Sequence, residues 1–182
     1  MIISITGTPG TGKTSISKLL KERRFEVVNF NKVAIQNKFL IGKDKKRDSF
    51  IVDIKKFNKY AKENYSQKKL IFIEGHLSHL LKSVDKVILL RCHPDQLEKN
   101  LLSRGWNKQK IKENLEAEIL DVILCEAIDL HKSKDIFEID TTGKSIKEVL
   151  SSVIEIIENK FSNIKKYNIG MIDWSEEILK DF

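Results

Sequence analysis

Gly7-Thr-Pro-Gly-Thr-Gly-Lys-Thr14 is the stretch that decides the fold, and it directly follows the apolar run Met1-Ile-Ile-Ser-Ile-Thr6. It fits the pattern G-x-x-x-x-G-K-[ST] at every fixed position, and apolar residues at helical spacing come after it. In such a loop, backbone N–H groups turn inward around a phosphate, and the helix N-terminus adds partial positive charge. The order of strand, loop and helix predicts a phosphate-binding loop, and a structural glycine turn is the alternative.

The residue types in this loop predict binding of ATP with Mg2+. The Lys13 ammonium is expected to reach the β- and γ-phosphates from a solvated position, and the Thr14 hydroxyl is expected to ligate Mg2+. The residues predicted to contact ATP are Gly10, Thr11, Gly12, Lys13, Thr14, Ser15 and Arg104.

A second stretch, Thr142-Gly-Lys-Ser145, ends like the same motif. A complete match would need glycine at position 138, where the chain has Glu138, so this stretch is not a second phosphate loop. It follows a predicted strand and so lies near the open end of the predicted sheet. It is either a loop that contacts a base or a plain turn between strand and helix.

Apolar, β-branched runs like the first one recur along the chain. They predict strands at 1–6, 26–30, 70–74, 86–91 and 135–140, separated by helical patterns long enough for crossovers. This alternation predicts an α/β phosphate-loop fold with a five-stranded parallel sheet flanked by helices. The most regular helical pattern predicts one long helix over 108–130, and a last helix is predicted over 145–161. Residues 30–53 fit neither strand nor core.

The third predicted strand ends in Glu74-Gly-His76, which places an acid at the tip of an apolar run. In a phosphate-loop fold, a carboxylate at this point orients Mg2+ or its water shell, so Glu74 is the predicted Mg2+ residue acting through water. An ordinary surface glutamate is the alternative. His76 is predicted to contact phosphate or relay a proton, and His79 is a weaker candidate, because an isolated histidine is more often a packing residue.

Ser103-Arg-Gly-Trp-Asn107 interrupts two helical patterns. Arg104 in this break is predicted to close over the triphosphate and to stabilise the charge of the transition state. An ordinary helix break is the alternative. The predicted catalytic set is therefore Lys13, Arg104, Glu74 and His76.

Composition limits the class of protein. The 182 residues suit one domain, and 41% hydrophobic with 32% charged residues exclude a disordered or collagen-like chain. No apolar run approaches the roughly 18 residues that span a bilayer, and no leader pattern precedes Gly7, so a cytoplasmic protein without a membrane partner is expected. The two cysteines lack metal spacing, so reduced thiols are expected.

The net charge of +7 is unevenly distributed. Residues 1–91 hold 20 Lys and Arg against 8 Asp and Glu, whereas residues 92–182 hold 13 against 18. This asymmetry suits an anionic ligand such as a nucleotide or an RNA backbone, and a solvated lysine-rich surface is the alternative.

Taken together, these residues resemble the adenylate kinase isoenzyme 6 family, also described as the coilin-interacting nuclear ATPase family, and in particular its archaeal branch. The resemblance covers nearly the whole chain. It rests on residues 7–15, Asn29, Val33-Ala34, Asp44, Asp53, Glu74-Gly-His76, Val87 to Arg91, Arg104-Gly-Trp106, Lys110, Asn114, Glu118 and Glu126.

The resemblance implies one kinase domain over 1–182, with a monophosphate-binding insert at 30–53, a lid at 103–113 and a C-terminal tail at 162–182. It implies transfer of the ATP γ-phosphate to AMP, with Asp44 and Asp53 in the monophosphate site. It also implies ATP hydrolysis and a role in maturation of the small ribosomal subunit, with a small-subunit ribosomal protein and pre-ribosomal RNA as partners.

The chain departs from the family pattern at two positions. It has Ile35 where relatives carry an arginine in the insert, and Asn100 where relatives carry an arginine four residues before Arg104. Both differences remove a positive charge that would face phosphate, and they bear more on AMP binding than on ATP binding, because Lys13, Thr14 and Arg104 remain. The leading hypothesis is an adenylate kinase, the second is an ATP-driven ribosome-assembly factor with weak kinase activity, and the third is a passive RNA-binding module.

Overall fold

A computed structural model describes residues 1–44, 49–162 and 164–177. The strands are β1 (Ile2–Thr6), β2 (Glu26–Asn29), β3 (Leu40–Asp44), β4 (Ser49–Val52), β5 (Ile71–Glu74), β6 (Lys86–Arg91) and β7 (Ile136–Asp140). Five of them form one parallel sheet in the order β2-β5-β1-β6-β7. The predicted five-stranded parallel sheet is confirmed.

Helices cover both faces of this sheet. They are α1 (Lys13–Glu22), α2 (Phe30–Gln36), α3 (Ile54–Tyr65), α4 (Pro94–Leu102), α5 (Lys108–Ile119), α6 (Val122–Leu130) and α7 (Ile146–Glu158). Helices α1 and α7 pack on one face, and α2, α3 and α6 pack on the other. Each face is dominated by aliphatic side chains, which is why the strands read as continuous apolar runs.

The last helix is shorter than predicted. It begins after Ser145, whose side chain and that of Glu148 form a capping box, and it ends at Glu158.

The description of 30–53 as neither strand nor core is wrong. Phe30 and Ala34 of α2 are fully buried, and β3 pairs with β4 as an antiparallel hairpin. The hairpin carries no alternating apolar pattern because both of its strands are largely exposed, with Ile41 63% and Phe50 55% accessible. Lys45, Lys46 and Arg47, which make this segment basic, lie outside the described residues.

The predicted single helix over 108–130 is also wrong, because α5 and α6 are separate. Asp121 between them has φ 53°, a left-handed conformation that cannot continue an α-helix. Its carboxylate accepts a hydrogen bond from the buried guanidinium of Arg91. This ion pair stabilises the bend between α5 and α6, and no local sequence pattern predicts it.

The parallel strands bring their carboxyl ends to one edge of the sheet, where α/β folds bind ligands. Central strand β1 lies between β5 and β6, so the residues that follow these three strands meet there. Gly7 follows β1, Gly75 follows β5 and Cys92 follows β6. Among the described residues, none of the helices is both long and apolar enough to cross a membrane.

Candidate functional site

The loop from Gly7 to Thr14 connects β1 to α1 and has the backbone shape of a phosphate cradle. Gly7 has φ 138°, and a Cβ atom there would lie 2.3 Å from the carbonyl oxygen of Leu90. Gly12 has φ 94° at the N-cap of α1. Both positions require glycine, because other residues rarely adopt these conformations and a side chain at Gly7 would meet β6. The loop therefore passes close to the sheet edge.

Lys13 is buried rather than solvated, which corrects the prediction. Its side chain is 8% exposed, and its Nζ donates to the carbonyl oxygens of Gly7 at 2.7 Å and Thr8 at 3.0 Å. Burial lowers the pKa of the ammonium to about 8, against the attraction of Glu74 and with further lowering by Arg104. The side chain is thus held against its own loop, and it still carries its proton at pH 7.

Glu74 lies at the end of β5 and faces the start of α1. The Thr14 hydroxyl donates to Glu74 Oε1 at 3.1 Å, and the Asn29 side-chain amide donates to Oε2 at 2.6 Å. Glu74 is only 5% exposed, which excludes an ordinary surface glutamate. A hydroxyl beside a carboxylate is a set of hard oxygen donors, and such a set fits Mg2+.

Two histidines follow Glu74 and have different surroundings. His76 is exposed at the turn, yet partial shielding by protein and repulsion from Lys13 lower its pKa to about 4, so the ring is neutral at pH 7. His79 is fully buried between the Thr6 hydroxyl at 3.0 Å and the Glu126 carboxylate at 2.9 Å. His79 is therefore a packing residue that holds the turn carrying His76.

A cavity of about 490 Å³ opens beside the phosphate loop. Arg104, which is exposed in the segment between α4 and α5, lies on its wall. The loop at 141–144 lines another side, so its backbone borders the same space as the phosphate loop. The lining residues are Gly10, Thr11, Gly12, Ser15, Ile16, Gln96, Asn100, Ser103, Arg104, Thr141, Gly143, Lys144, Ile146 and Val149.

The predicted monophosphate residues lie away from this cavity wall. Asp53 is the N-cap of α3, where its carboxylate accepts from the backbone N–H of Lys56 at 3.0 Å. Asp44 ends β3 and pairs in register with Ser49. Ile35 on α2 is 54% exposed.

Asn100, the second departure from the family pattern, contacts the phosphate loop directly. Its side-chain amide donates to the Gly10 carbonyl oxygen at 3.0 Å, and its own oxygen accepts from Gln96. A neutral amide thus occupies the position next to the loop, where an arginine would add charge.

Sequence reasoning missed a buried charge network behind the loop. Arg91 is 2% exposed and binds Glu118 at 2.8 Å, Glu138 at 2.7 Å and Asp121. Glu118, 3% exposed, also accepts from the hydroxyl of Thr8 in the phosphate loop at 2.5 Å. A signal was available, because Glu118 falls seven residues after Ile111 on the apolar stripe of α5.

Comparison with known proteins identifies the family of the chain. The family described as "AAA domain" matches residues 3–121. A Methanocaldococcus jannaschii protein named "Putative adenylate kinase" is 40% identical over 97% of this chain and 94% of its own length. An Archaeoglobus fulgidus protein of the same name is 41% identical over 98% of this chain and 94% of its own length. The chain belongs to the family of these archaeal proteins.

Solved structures extend the likeness to the fold. Thymidylate kinase from Candida albicans superposes with a TM-score of 0.56 at 15% identity, covering 88% of this chain and 92% of the enzyme. The chain therefore has the α/β phosphate-loop fold that is found in nucleotide kinases. Fold and family together support nucleotide kinase activity.

Proposed function

We propose that the protein is an adenylate kinase that transfers the γ-phosphate of ATP to AMP and gives two ADP. The observation that carries this proposal is the convergence of three groups at one sheet edge. These are the buried Lys13 ammonium, the Glu74 carboxylate bonded to Thr14, and Arg104 on the wall of the adjoining cavity. Phosphoryl transfer depends mainly on positioning and charge stabilisation, and this set supplies both.

Each charged group has a defined part in this proposal. Lys13 leaves the carbonyl oxygens of its own loop and follows the transferred phosphoryl group, and Arg104 adds a second positive charge from the opposite side. The backbone N–H groups of 10–15 hold the phosphates. Since Arg104 is on an exposed segment, lid closure brings it to the phosphates and excludes water.

Thr14 and Glu74 are the residues that would hold Mg2+, Thr14 through its hydroxyl and Glu74 through a water molecule. When bound there, Mg2+ would neutralise part of the charge on the phosphate oxygens. Asn29 fixes the Glu74 carboxylate by donating to its second oxygen. Neutral His76 accepts or donates one hydrogen bond near the acceptor phosphate, and it adds no charge there.

The acceptor side of the proposal involves the insert at 30–53, with Asp44 and Asp53 in the monophosphate site, and the lid at 103–113. Residues 1–182 form a single kinase domain with a C-terminal tail at 162–182. The archaeal relatives named "Putative adenylate kinase" support AMP as the acceptor. A cytoplasmic location, where ATP and AMP are both present, belongs to the same proposal.

The test is a coupled assay of ADP formed from ATP and Mg2+, with AMP, dAMP, CMP or dTMP as acceptor. We expect AMP to give the highest kcat/KM. The Lys13→Ala variant serves as the inactive control. If ADP formed from ATP only with a different monophosphate as acceptor, the protein would still be a nucleotide kinase, but the choice of AMP would be overturned.

A second candidate is an ATPase that acts in maturation of the small ribosomal subunit, as the resemblance to the adenylate kinase isoenzyme 6 family implies. The exposed Ile35 in the proposed insert favours it, because it supplies no positive charge for the phosphate of AMP, whereas the neutral Asn100 lies beside the phosphate loop for ATP. Under this proposal a small-subunit ribosomal protein and pre-ribosomal RNA are partners. Phosphate release that does not need AMP and rises when small subunits are added would support it, and release that requires AMP would contradict it.

A further inference from the structure

The hydrogen bond between Thr8 and Glu118 joins two parts of the molecule that have separate tasks. Thr8 belongs to the phosphate loop, and Glu118 lies on α5, the helix that leaves the segment carrying Arg104. The two side chains are 2% and 3% exposed, and their oxygen atoms are 2.5 Å apart. The contact is long-range in sequence and fully enclosed by protein.

The remaining bonds of Glu118 tie its first carboxylate oxygen to the end of β6. Its Oε1 accepts from Arg91 Nε at 2.8 Å and from the Cys92 backbone N–H at 3.1 Å. Arg91 has two further carboxylate partners. Buried ion pairs contribute little net stability, and their best-attested use is to fix geometry. The Thr8 hydroxyl donates to the other carboxylate oxygen, Oε2, and so fixes the direction in which the Glu118 carboxylate faces.

Thr8 also touches the proposed catalytic machinery. Its carbonyl oxygen is one of the two that hold the Lys13 ammonium. A phosphate that draws Lys13 away removes this partner from Thr8, whose hydroxyl remains bonded to Glu118. The state of the phosphate loop is thus linked to α5 by two consecutive hydrogen bonds.

Helix α5 forms a compact unit with the segment at 103–107. Trp106 and Leu115 pack on a small core of Cys92, Leu97, Leu101 and Ile111, and Lys110 Nζ lies 4.4 Å from the centre of the Trp106 ring. Helices α4 and α5 are the two stems of the proposed lid, and α4 is connected to the phosphate loop by the hydrogen bond from Asn100. Both stems of the proposed lid are therefore anchored to the phosphate loop.

We infer that Glu118 is a positioning residue which, through Thr8, couples occupancy of the phosphate loop to the placement of Arg104. This inference rests on the proposed kinase function. Coupling free energies between sites correspond to about 5- to 150-fold in equilibrium constants. The effect of losing the Thr8 hydroxyl alone should lie at the lower end of this range, because the hydrogen bond from Asn100 to the phosphate loop remains.

A double-mutant cycle tests the inference with Thr8→Val, Arg104→Ala and the double variant, using kcat for ADP formation. We expect Thr8→Val to lower kcat about tenfold in the wild type and less than about twofold in the Arg104→Ala background, since coupled residues are non-additive. Thr8→Ser, which keeps the hydroxyl, should recover most of the loss. A tenfold loss in both backgrounds would overturn the coupling.

Thr11→Val is the matched control. Thr11 is in the same loop and equally buried at 2%, but its hydroxyl bonds the Thr8 carbonyl within the loop at 3.0 Å. Thr11 also borders the cavity with Arg104, whereas Thr8 does not line it. Proximity alone predicts that Thr11 couples to Arg104 and Thr8 does not. Our inference predicts the reverse, so a cycle in which only Thr11 is non-additive would also overturn it.

Fluorescence of Trp106 gives a readout that needs no turnover. In a Trp174→Phe background, Trp106 is the remaining tryptophan. We expect ATP with Mg2+ to change the emission of Trp106. At saturation, which calorimetry establishes, Thr8→Val should reduce that change at least threefold, a size within the range of coupling effects. A full change in Thr8→Val, or no change in the parent at saturation, would refute coupling. Failure of AMP phosphorylation with this fluorescence result intact would refute only the proposed acceptor.

Discussion

Replacing Lys13 by methionine separates the charge of this side chain from its bulk. Burial lowers the pKa of the ammonium from 10.5 to about 8. A difference of this size between the folded and unfolded chain corresponds to about 3 kcal/mol of folding free energy that the buried charge costs at pH 7. Methionine removes that cost and also removes two hydrogen bonds to loop carbonyls, worth about 1 to 3 kcal/mol each. The free energy of unfolding at pH 7 should therefore lie between a gain of about 1 kcal/mol and a loss of about 3 kcal/mol relative to the wild type.

The pH dependence of stability gives the sharper comparison. Between pH 8 and pH 10.5 the unfolded chain keeps the Lys13 proton while the folded chain has released it. The unfolded state then binds more protons, so the stability of the wild type rises with pH relative to Lys13→Met. The difference in the free energy of unfolding between the wild type and Lys13→Met should grow by about 2 kcal/mol from pH 7 to pH 10, in favour of the wild type. Below pH 7 it should stay constant, because both states are protonated.

Urea unfolding of both proteins at several pH values measures this difference, and the matched activity assay measures the catalytic role. Turnover of Lys13→Met should fall at least about a hundredfold, as expected for one preorganised electrostatic contact. If the free energies of unfolding of the wild type and Lys13→Met changed in parallel from pH 7 to pH 10, the burial of a charged Lys13 would be refuted. Near-normal turnover would refute its part in phosphate transfer.

Three further substitutions test separate parts of the site. Arg104→Ala should lower kcat about a hundredfold while the calorimetric Kd of ATP changes less than about threefold, because a lid residue acts after closure; an equal loss of affinity would contradict this. Glu74→Gln should raise the Mg2+ concentration for half-maximal activity at least about tenfold, and an unchanged requirement would separate Glu74 from the metal. Gly75→Ala places a Cβ 2.5 Å from Phe30 Cβ, so urea unfolding should show a loss of about 1 to 3 kcal/mol; unchanged stability would show that the backbone shifts freely.

The sheet and the phosphate loop were predictable because their signals are local. Strand β1 is buried at all five positions, and the glycine spacing that follows it admits few other structures. Glu74 was singled out for the same reason, as an acid that ends an apolar run. Its buried contact with Asn29 joins β2 to β5 and depends on strand order, which the sequence pattern does not contain.

The errors arise where tertiary contacts override local pattern. The break at Asp121 depends on Arg91, thirty residues earlier in the chain. The hairpin of β3 and β4 was missed because its exposed strands give no burial signal. Lys13 was expected to line a solvated loop rather than the core, whereas the loop places its own carbonyl groups around the ammonium.

The most direct test of the central claim is a measurement of ADP formation from ATP and Mg2+ with and without AMP. Wild-type protein, Lys13→Met and Arg104→Ala are compared at equal concentration. The proposed kinase predicts ADP formation that requires AMP, yields two ADP for each ATP consumed and is lost in both variants. ADP formed at the same rate without AMP, with release of inorganic phosphate, would contradict it.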